Sequence, residues 1–237
     1  MKVKIMAKPI GLEHPSVKRV IKIAEEIMSK NKALTGEFLY NLAKKRLKIP
    51  RRGLLSIIHF LIYKKILVEG SKFSKETVLS NPIRKGINNY IRINPGVHFS
   101  DLRKNTLTDE LGSSGQLVWH LEMLLKFNYI KKIKVGNYTV FLPFDFDEID
   151  GKILFLLSDR INNKMIHALV ENNSMRKSEI YKKIEEKRED VYYRIKNLIR
   201  HKIIVSREDS DKEICISSQI KEKVAEILES SKFYTKK

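Results

Sequence analysis

The sequence predicts a mostly α-helical protein with small β-hairpins, and three observations support this class. First, large apolar residues stand at relative positions 0, +3, +8 and +9 in three separate places. Second, a short segment able to form a hairpin follows each copy. Third, a spacing of three puts two residues on one helix face, and the adjacent pair begins an extended segment. The pattern residues are Ile58, Leu61, Ile66 and Leu67; Leu121, Leu124, Tyr129 and Ile130; and Ile195, Leu198, Ile203 and Ile204.

A winged helix has this arrangement where its recognition helix gives way to the hairpin that forms its wing. The repeat therefore predicts three tandem winged helix-turn-helix modules. Their expected bounds are 1–80, 81–143 and 144–237. Three unrelated helix-to-strand transitions would produce the same pattern, so that alternative stays open at this point.

Composition excludes several other classes. Of the 237 residues, 42% are hydrophobic and 32% are charged, which is too apolar for a disordered chain and too polar for a membrane protein. The longest apolar stretch, 54–63, is interrupted by Ser56 and His59 and is shorter than a bilayer span. The N-terminus lacks the apolar core of a signal peptide. We therefore expect a cytoplasmic protein with no integral membrane segment.

Catalytic and metal-binding motifs are absent from the sequence. Cys215 is the only cysteine, and the six histidines show no metal-ligand spacing. The chain has no nucleotide-binding loop and no Ser or Cys nucleophile motif, and residues 112–115 favour a helix start instead. We therefore expect no enzymatic activity, no metal and no cofactor.

The formal charge of +19 is distributed unevenly along the chain. Residues 1–80 contain 18 Lys and Arg against 6 acidic residues, residues 81–143 contain 9 against 4, and residues 144–237 contain 20 against 18. Clustered positive charge attracts polyanions because each neutralised phosphate releases condensed counterions. The charge therefore predicts nucleic-acid binding by the first two modules, with a merely solubilising role as the alternative.

The first module is expected to contain three helices. Pro15 begins a helix that extends to Ile27, and Thr35 caps a second one. The third helix is expected over 53–65, with Gly70 in the turn of a rudimentary wing. The apolar residues expected inward on the second helix are Phe38, Leu39 and Leu42.

A cationic run precedes the third helix of this module. We expect it in the turn before that helix, where a winged helix faces the duplex backbone, and interpret it as gripping phosphate more than reading sequence. A solvated charged face is the alternative. The cations are Lys44, Lys45, Arg46, Lys48, Arg51 and Arg52.

The second module begins with a helix at Pro82. An apolar side formed by Ile83, Ile87, Tyr90 and Ile91 is expected to face inward, opposite the cations Arg84, Lys85 and Arg92.

The sequence Asn94-Pro95-Gly96 should stop that helix, with residues 97–99 extended and a second helix capped by Ser100 or Asp101. Ser113 or Ser114 should cap the third helix, 116–127. Strands 129–134 and 138–142 should then form the wing. Lys131, Lys132 and Lys134 on its first strand are candidates for phosphate contact.

These residues carry a resemblance to a known group. The stretch from Asn94 to Leu102, the stretch from Gly115 to Leu121, and the "YFLP"-like strand Tyr138, Phe141, Leu142 and Pro143 resemble the archaeal winged helix-turn-helix transcriptional regulators. In that group an "NPG" turn precedes the second helix and a "G-x-x-x-aromatic-His-Leu" stretch forms the recognition helix. The match covers residues 82–143.

The resemblance implies that Gln116 and its neighbours Ser113 and Ser114 face the major groove of DNA. Glutamine can pair with adenine through two hydrogen bonds. His120 is a candidate phosphate contact, with a hydrogen-bonded structural role as its alternative. Trp119 either stacks on a base or forms the edge of the core.

The third module should contain helices over 153–157, 161–170, 177–184 and 189–201. Its strands, 203–207 and 213–216, would flank an acidic wing tip, 208–211, that is poorly suited to phosphate. A closing helix, 219–228, has an apolar stripe that can pack internally or against a second chain. A homodimer or a protein partner is therefore expected through this module as readily as DNA.

The function expected from the sequence is a DNA-binding transcriptional regulator that contacts double-stranded DNA in the nucleoid. It would anchor phosphates through the first module and the central wing, with limited base readout by the central recognition helix. Binding should fall steeply with salt and weaken when the cationic run is neutralised. Two alternatives remain open: a winged-helix protein scaffold like those of ESCRT-II complexes, and a non-specific architectural or replication-associated DNA binder.

Overall fold

A computed structural model describes residues 11–106, 114–207 and 210–231. The helices are α1 (Pro15–Ser29), α2 (Gly36–Arg46), α3 (Arg51–Tyr63), α4 (Lys75–Val78), α5 (Pro82–Ile93), α6 (Phe99–Thr106), α7 (Ser114–Lys126), α8 (Glu148–Leu157), α9 (Arg160–Asn172), α10 (Lys177–Lys183), α11 (Arg188–Arg200) and α12 (Lys221–Ser231). The strands are β1 (Val97–His98), β2 (Ile130–Val135), β3 (Tyr138–Pro143), β4 (Ser174–Arg176), β5 (Ile204–Arg207) and β6 (Ser210–Ile216). The mostly helical class with small antiparallel hairpins is confirmed.

The described residues form two compact units. One comprises those of Met1–Asn88 and Leu107–Tyr129, and the other those of Asn89–Thr106 and Ile130–Lys237. Within the predicted central module, α7 belongs to the first unit, and β2 and β3 belong to the second. The three-module division remains a prediction.

The first unit has a core formed by α1, α2 and α3. As predicted, the Thr35 hydroxyl accepts a hydrogen bond from the Phe38 amide and caps α2, whose Leu39 is fully buried. Phe38 was expected inward but is 43% exposed, because the residue next to it on the helix, Leu39, takes the inward position.

The hairpin expected around Gly70 is wrong, because residues 64–74, all described, form no strand. A pair of backbone hydrogen bonds takes its place. The Leu34 amide donates to the Ser71 carbonyl at 2.9 Å, and the Gly70 amide donates to the Leu34 carbonyl at 2.8 Å. Gly70 has a φ of 71° in the turn between them.

The second unit contains both three-stranded antiparallel sheets. Their orders, β1-β3-β2 and β4-β6-β5, place the strands in the same relation, with the last strand in the middle. The predicted hairpin of β2 and β3 is confirmed, with Val135 opposite Tyr138 and Gly136 at a φ of 59° in the turn. The short strand β4 is not predicted by the sequence. It pairs Ser174 with Cys215.

One hydrophobic cluster unites the β2–β3 hairpin with the helices that follow it. Val135, Val140 and Leu142 are buried together with apolar residues of α8, α9, α11 and α12. Helix α8 begins at Glu148, earlier than the sequence predicts, and Asp147 accepts hydrogen bonds from the Ile149 and Asp150 amides. The hairpin is therefore one wall of a larger core.

The Asn94-Pro95-Gly96 turn ends α5 at Ile93, as expected. Gly96 has a φ of 94°, and a Cβ placed there would lie 3.0 Å from the Gly151 carbonyl oxygen of α8. Its amide donates to the Phe141 carbonyl at 3.1 Å. A side chain at position 96 would both strain the backbone and separate the turn from α8.

Helix α12 packs internally. Val224 and Leu228 are buried in the core of the second unit, and Lys223 bonds to Asp147 and Asp150 near the start of α8. Of the two uses that the sequence leaves open for this apolar stripe, the structure shows internal packing.

Candidate nucleic-acid interface

The helices that carry the repeated apolar pattern share one register. Each of α3, α7 and α11 has 13 residues, and each begins seven positions before the first pattern residue. The position four before that residue, not included in the predicted pattern, is fully buried in all three copies, as Leu54, Leu117 and Val191. The residues of these three helices therefore correspond to one another position by position.

The three helices also end in the same way. The residue at relative position +7 has a positive φ in each copy: 55° at Lys65, 55° at Asn128 and 59° at Lys202. The next amide donates to the carbonyl five residues earlier at 3.0 Å in all three, as in a Schellman cap. This cap turns the chain so that the following apolar residue is buried, as Leu67, Ile130 and Ile204 are.

The cationic run is not confined to a turn. Lys44, Lys45 and Arg46 form the last turn of α2, and Arg51 and Arg52 form the start of α3, because each helix extends further than the sequence predicts. Only residues 47–50 connect the two helices.

The six cations of the run differ in their surroundings. The Arg46 guanidinium lies 2.5 Å from the Glu26 carboxylate, and Arg51 lines an apolar groove on α3. Lys44, Lys45, Lys48 and Arg52 are exposed, and none forms an ion pair within the part of the chain that the structure describes. These four residues are called the phosphate-facing cluster below.

The charges in the first turn of α3 favour the binding of an anion. Its first turn holds Arg51 and Arg52 with no acidic residue, and Pro50 provides no side-chain cap. The equivalent turn of α11 contains Glu189 and Asp190, which supply the negative charge that a helix N-terminus favours. Of these two equivalent helices, α3 is the better suited to phosphate.

The first half of α7 exposes Gln116, Val118 and Trp119, the last two at 48% and 50%. Gln116 thus lies where the resemblance requires a base-contacting residue. Ser113 lies outside the described residues. Ser114 is the first residue of α7, and its side chain is not among the described ones.

His120 lies in the interior and is 6% exposed, which removes it from the candidate DNA contacts. Its Nδ1 is buried and has no hydrogen-bond partner among the described atoms. Burial, and then the positive charge of Arg84, lower the pKa of His120. The imidazole is therefore a neutral part of the core at neutral pH.

Arg84 is the residue near this site whose position the sequence interpretation predicted wrongly. It was expected on the outer side of α5 but is only 3% exposed. Its Nε donates to the Val78 carbonyl at 2.6 Å, and its guanidinium lies 4.9 Å from the Phe73 ring centroid and 5.3 Å from that of Trp119. Arg84 therefore contacts α7 through Trp119.

A signal for this placement exists in the sequence. The buried positions of α5 are 84, 87, 88 and 91, which follow the i, i+3, i+4, i+7 pattern of one helix face. The inward side expected from hydrophobicity alone contains Ile83 and Tyr90, which are partly exposed, in place of positions 84 and 88.

The three wing lysines lie on two faces of β2. Lys132 and Lys134 are exposed on one face, and the Lys134 ammonium donates to Thr139 Oγ1 at 2.7 Å. Lys131 lies on the opposite face, which carries Ile133 and Val135 towards the core, and its Nζ is 3.7 Å from Glu148. Lys131 is therefore the least available of the three.

On α11, one cation forms an ion pair within the protein. Arg194 binds the Asp159 carboxylate through Nε and Nη2, both at 2.8 Å, and Asp159 in turn caps α9. Lys196 and Arg200 are exposed. Of the predicted acidic wing tip, residues 208–209 lie outside the described residues, and Ser210 and Asp211 belong to β6.

The order of helices and strands, the two equivalent sheets and the repeated recognition-type helices define a winged helix-turn-helix protein. Residues 81–154 match the family HTH_HVO_0163_N, described as an N-terminal HTH domain. The match begins just before α5 and includes α7 and the β2–β3 hairpin.

A similar protein is the uncharacterized HTH-type transcriptional regulator MJ1398 of Methanocaldococcus jannaschii, which is 34% identical over 147 residues. The alignment covers 62% of this chain and 36% of that relative, so the chain spans about a third of the relative's length. Together with the matched domain, this similarity confirms the resemblance to archaeal HTH-type transcriptional regulators over the matched part of the chain.

Among the described residues, no helix has the length and apolar character that crossing a bilayer requires.

Proposed function

We propose that this protein is a transcriptional regulator that binds double-stranded DNA, with the phosphate-facing cluster as its main anchor. The observation that carries the proposal is the position of Lys44, Lys45, Lys48 and Arg52, exposed around the open N-terminus of α3 without carboxylate partners among the described residues. Cations already neutralised by a carboxylate gain little from a phosphate, whereas unpaired ones release counterions from DNA.

The domain match and the archaeal relative support DNA as the polyanion. Residues 81–154 match an HTH domain, and the relative is named an HTH-type transcriptional regulator. Within this domain, we propose that Gln116 contacts a base edge and that Lys132 and Lys134 contact the backbone next to it. The chain would thus combine strong phosphate binding with limited sequence reading.

The phosphate anchor is tested by the double variant Lys48→Gln/Arg52→Gln. We expect about a tenfold or larger loss of affinity for any duplex, because phosphate contacts carry no sequence information. Fluorescence anisotropy with two unrelated duplexes at fixed salt measures the loss.

The matched control is Lys30→Gln/Lys32→Gln, which removes the same charge from exposed positions of the same unit. Equal losses in the two double variants would assign binding to net charge alone and contradict an anchor at α3.

Base reading is tested separately with Gln116→Ala. If Gln116 reads a base, this variant should reduce the preference for a selected site by about 1–3 kcal/mol while leaving binding to unrelated duplexes unchanged. A uniform loss over all duplexes would show that Gln116 does not read sequence.

The role of the C-terminal elements stays open between DNA and a protein partner, as it does in the sequence. The apolar stripe of α12 does not serve a second chain, since Val224 and Leu228 are already buried. Association with the nucleoid remains a prediction that follows from DNA binding.

A further inference from the structure

Helix α3 carries a stripe of four exposed side chains that DNA anchoring does not use. Arg51, Leu55, His59 and Tyr63 recur every four residues and therefore lie on one face of the helix. All four line an open, mainly apolar groove of about 1020 Å³ beside α2. Tyr63 is 80% exposed and Leu55 is 37% exposed. Arg52 and Ser56 are not part of the groove.

The groove has a basic end and an acidic end. Arg51 lies at the first turn of α3, and Tyr63 lies about 18 Å further along the helix axis. The acidic end lies beside Tyr63. A Cβ placed on Gly36 would be 2.8 Å from Glu69 Oε1 and 3.7 Å from Ile62 Cδ1, so Gly36, Glu69 and Ile62 are neighbours. Glu37 follows Gly36 and is exposed, with no ion pair among the described residues.

We propose that this groove binds the same groove of a second copy of the chain, with the two α3 helices antiparallel. A two-fold axis that crosses the stripe between Leu55 and His59 places Arg51 of each copy against Tyr63, Glu37 and Glu69 of the other. Each Leu55 then packs on the His59 of the other copy. The surface is therefore complementary to itself in charge.

A parallel arrangement would place the two Arg51 guanidinium groups together and the two acidic ends together. Like charges that meet at an interface repel each other and disfavour that arrangement. The antiparallel arrangement instead pairs each guanidinium with an aromatic ring and two carboxylates, all of which favour a cation. The apolar part of the stripe supplies the burial that such an interface needs at its centre.

The first test is the mass of the full-length protein, free of nucleic acid, by sedimentation and light scattering over a range of concentrations. We expect a dimer that Tyr63→Ala weakens by at least about tenfold, because the aromatic ring that packs on Arg51 of the other copy is lost. The control Tyr193→Ala removes a similarly exposed tyrosine, 71% exposed, from α11 and should not change the mass.

The second test uses charge reversal. Arg51→Glu and Glu37→Lys should each weaken the homodimer, because each places like charges at both ends of the interface. An equimolar mixture of the two variants should restore association. In the mixed dimer, the carboxylate introduced at position 51 of one copy faces the ammonium introduced at position 37 of the other, and the remaining native Arg51 faces the remaining native Glu37. Restoration also shows that both variants are folded.

A chain that is monomeric at all concentrations overturns the proposal, as does a dimer that none of these substitutions weakens. The proposal is independent of DNA binding. If Tyr63→Ala and Arg51→Glu leave the mass unchanged but weaken duplex binding, the groove is a DNA contact and the dimer is again excluded.

Discussion

At the scale of single residues, Arg84 has the most consequential position in the first unit. A buried guanidinium is expensive unless its charge and its hydrogen-bond donors are compensated. Here a backbone carbonyl accepts from Nε at 2.6 Å, and the rings of Phe73 and Trp119 lie close to the guanidinium. Burial lowers the pKa of Arg84, in keeping with the absence of a carboxylate partner among the described residues. The residue connects α5 to the exposed Trp119 of α7.

Replacement of this side chain should therefore cost stability. We expect Arg84→Met to reduce the free energy of unfolding by about 2–3 kcal/mol, because the Val78 carbonyl loses its donor and the two rings lose the cation. Lys85→Met, at the next and exposed position of α5, should change it by less than about 0.5 kcal/mol. Urea titration of both variants measures the difference, and similar values for the two would mean that the Arg84 contacts stabilise little.

At the scale of secondary-structure elements, the common feature of the three copies of the apolar pattern is the end of a helix. Lys65, Asn128 and Lys202 occupy equivalent positions with φ between 55° and 59°. Asparagine adopts this conformation readily, whereas lysine is strained in it. The wing that follows is variable: a hairpin after α7 and α11, and only two backbone hydrogen bonds around Gly70 after α3.

Glycine at the strained positions should stabilise the protein. We expect Lys65→Gly and Lys202→Gly each to raise the free energy of unfolding by about 0.5–1 kcal/mol, and Asn128→Gly to raise it less. Lys64→Gly is the control, because Lys64 has an ordinary φ of −75° and glycine there should destabilise the helix end. Thermal unfolding provides the values. A gain at position 64 equal to that at position 65 would contradict the role of the positive φ.

At the scale of the whole molecule, the positive charge is concentrated in the N-terminal part of the chain. The last 94 residues carry nearly equal numbers of cations and acids, and several of them form ion pairs such as Arg194 with Asp159 and Arg160 with Glu186. The exposed cations of residues 44–52 have fewer such partners among the described residues. An approaching polyanion is therefore attracted mainly to the N-terminal part.

The salt dependence of duplex binding should reflect this distribution. If all four residues of the phosphate-facing cluster contact phosphates, the plot of log K against log salt should have a slope of about −3.6 or steeper. Lys48→Gln/Arg52→Gln should make it shallower by about two. If the C-terminal elements bind a protein partner and not DNA, Lys196→Gln/Arg200→Gln, at exposed positions of α11, should leave the slope unchanged. A slope near zero for the native chain would exclude phosphate anchoring.

Much of the fold follows from local patterns. The starts of α1 and α2, the stop at Asn94-Pro95-Gly96 and the β2–β3 hairpin follow from proline, capping residues and turn residues, which act over a few positions. The candidate site follows only in part. The sequence identifies the cations of residues 44–52 but treats them as equivalent, although Arg46 is paired with Glu26, 20 residues away along the chain.

The sequence by itself determined the class of the protein, its repeated helices and the position of its positive charge, because helix periodicity, capping and net charge are properties of short segments. The tertiary structure alone decided that Arg84 and His120 are buried, that the β2–β3 hairpin belongs to a larger core, and that Arg51 lines a groove while Arg52 does not. Burial and pairing depend on residues distant in sequence. The free energy that burial and pairing contribute is fixed only when the folded chain brings those residues into contact.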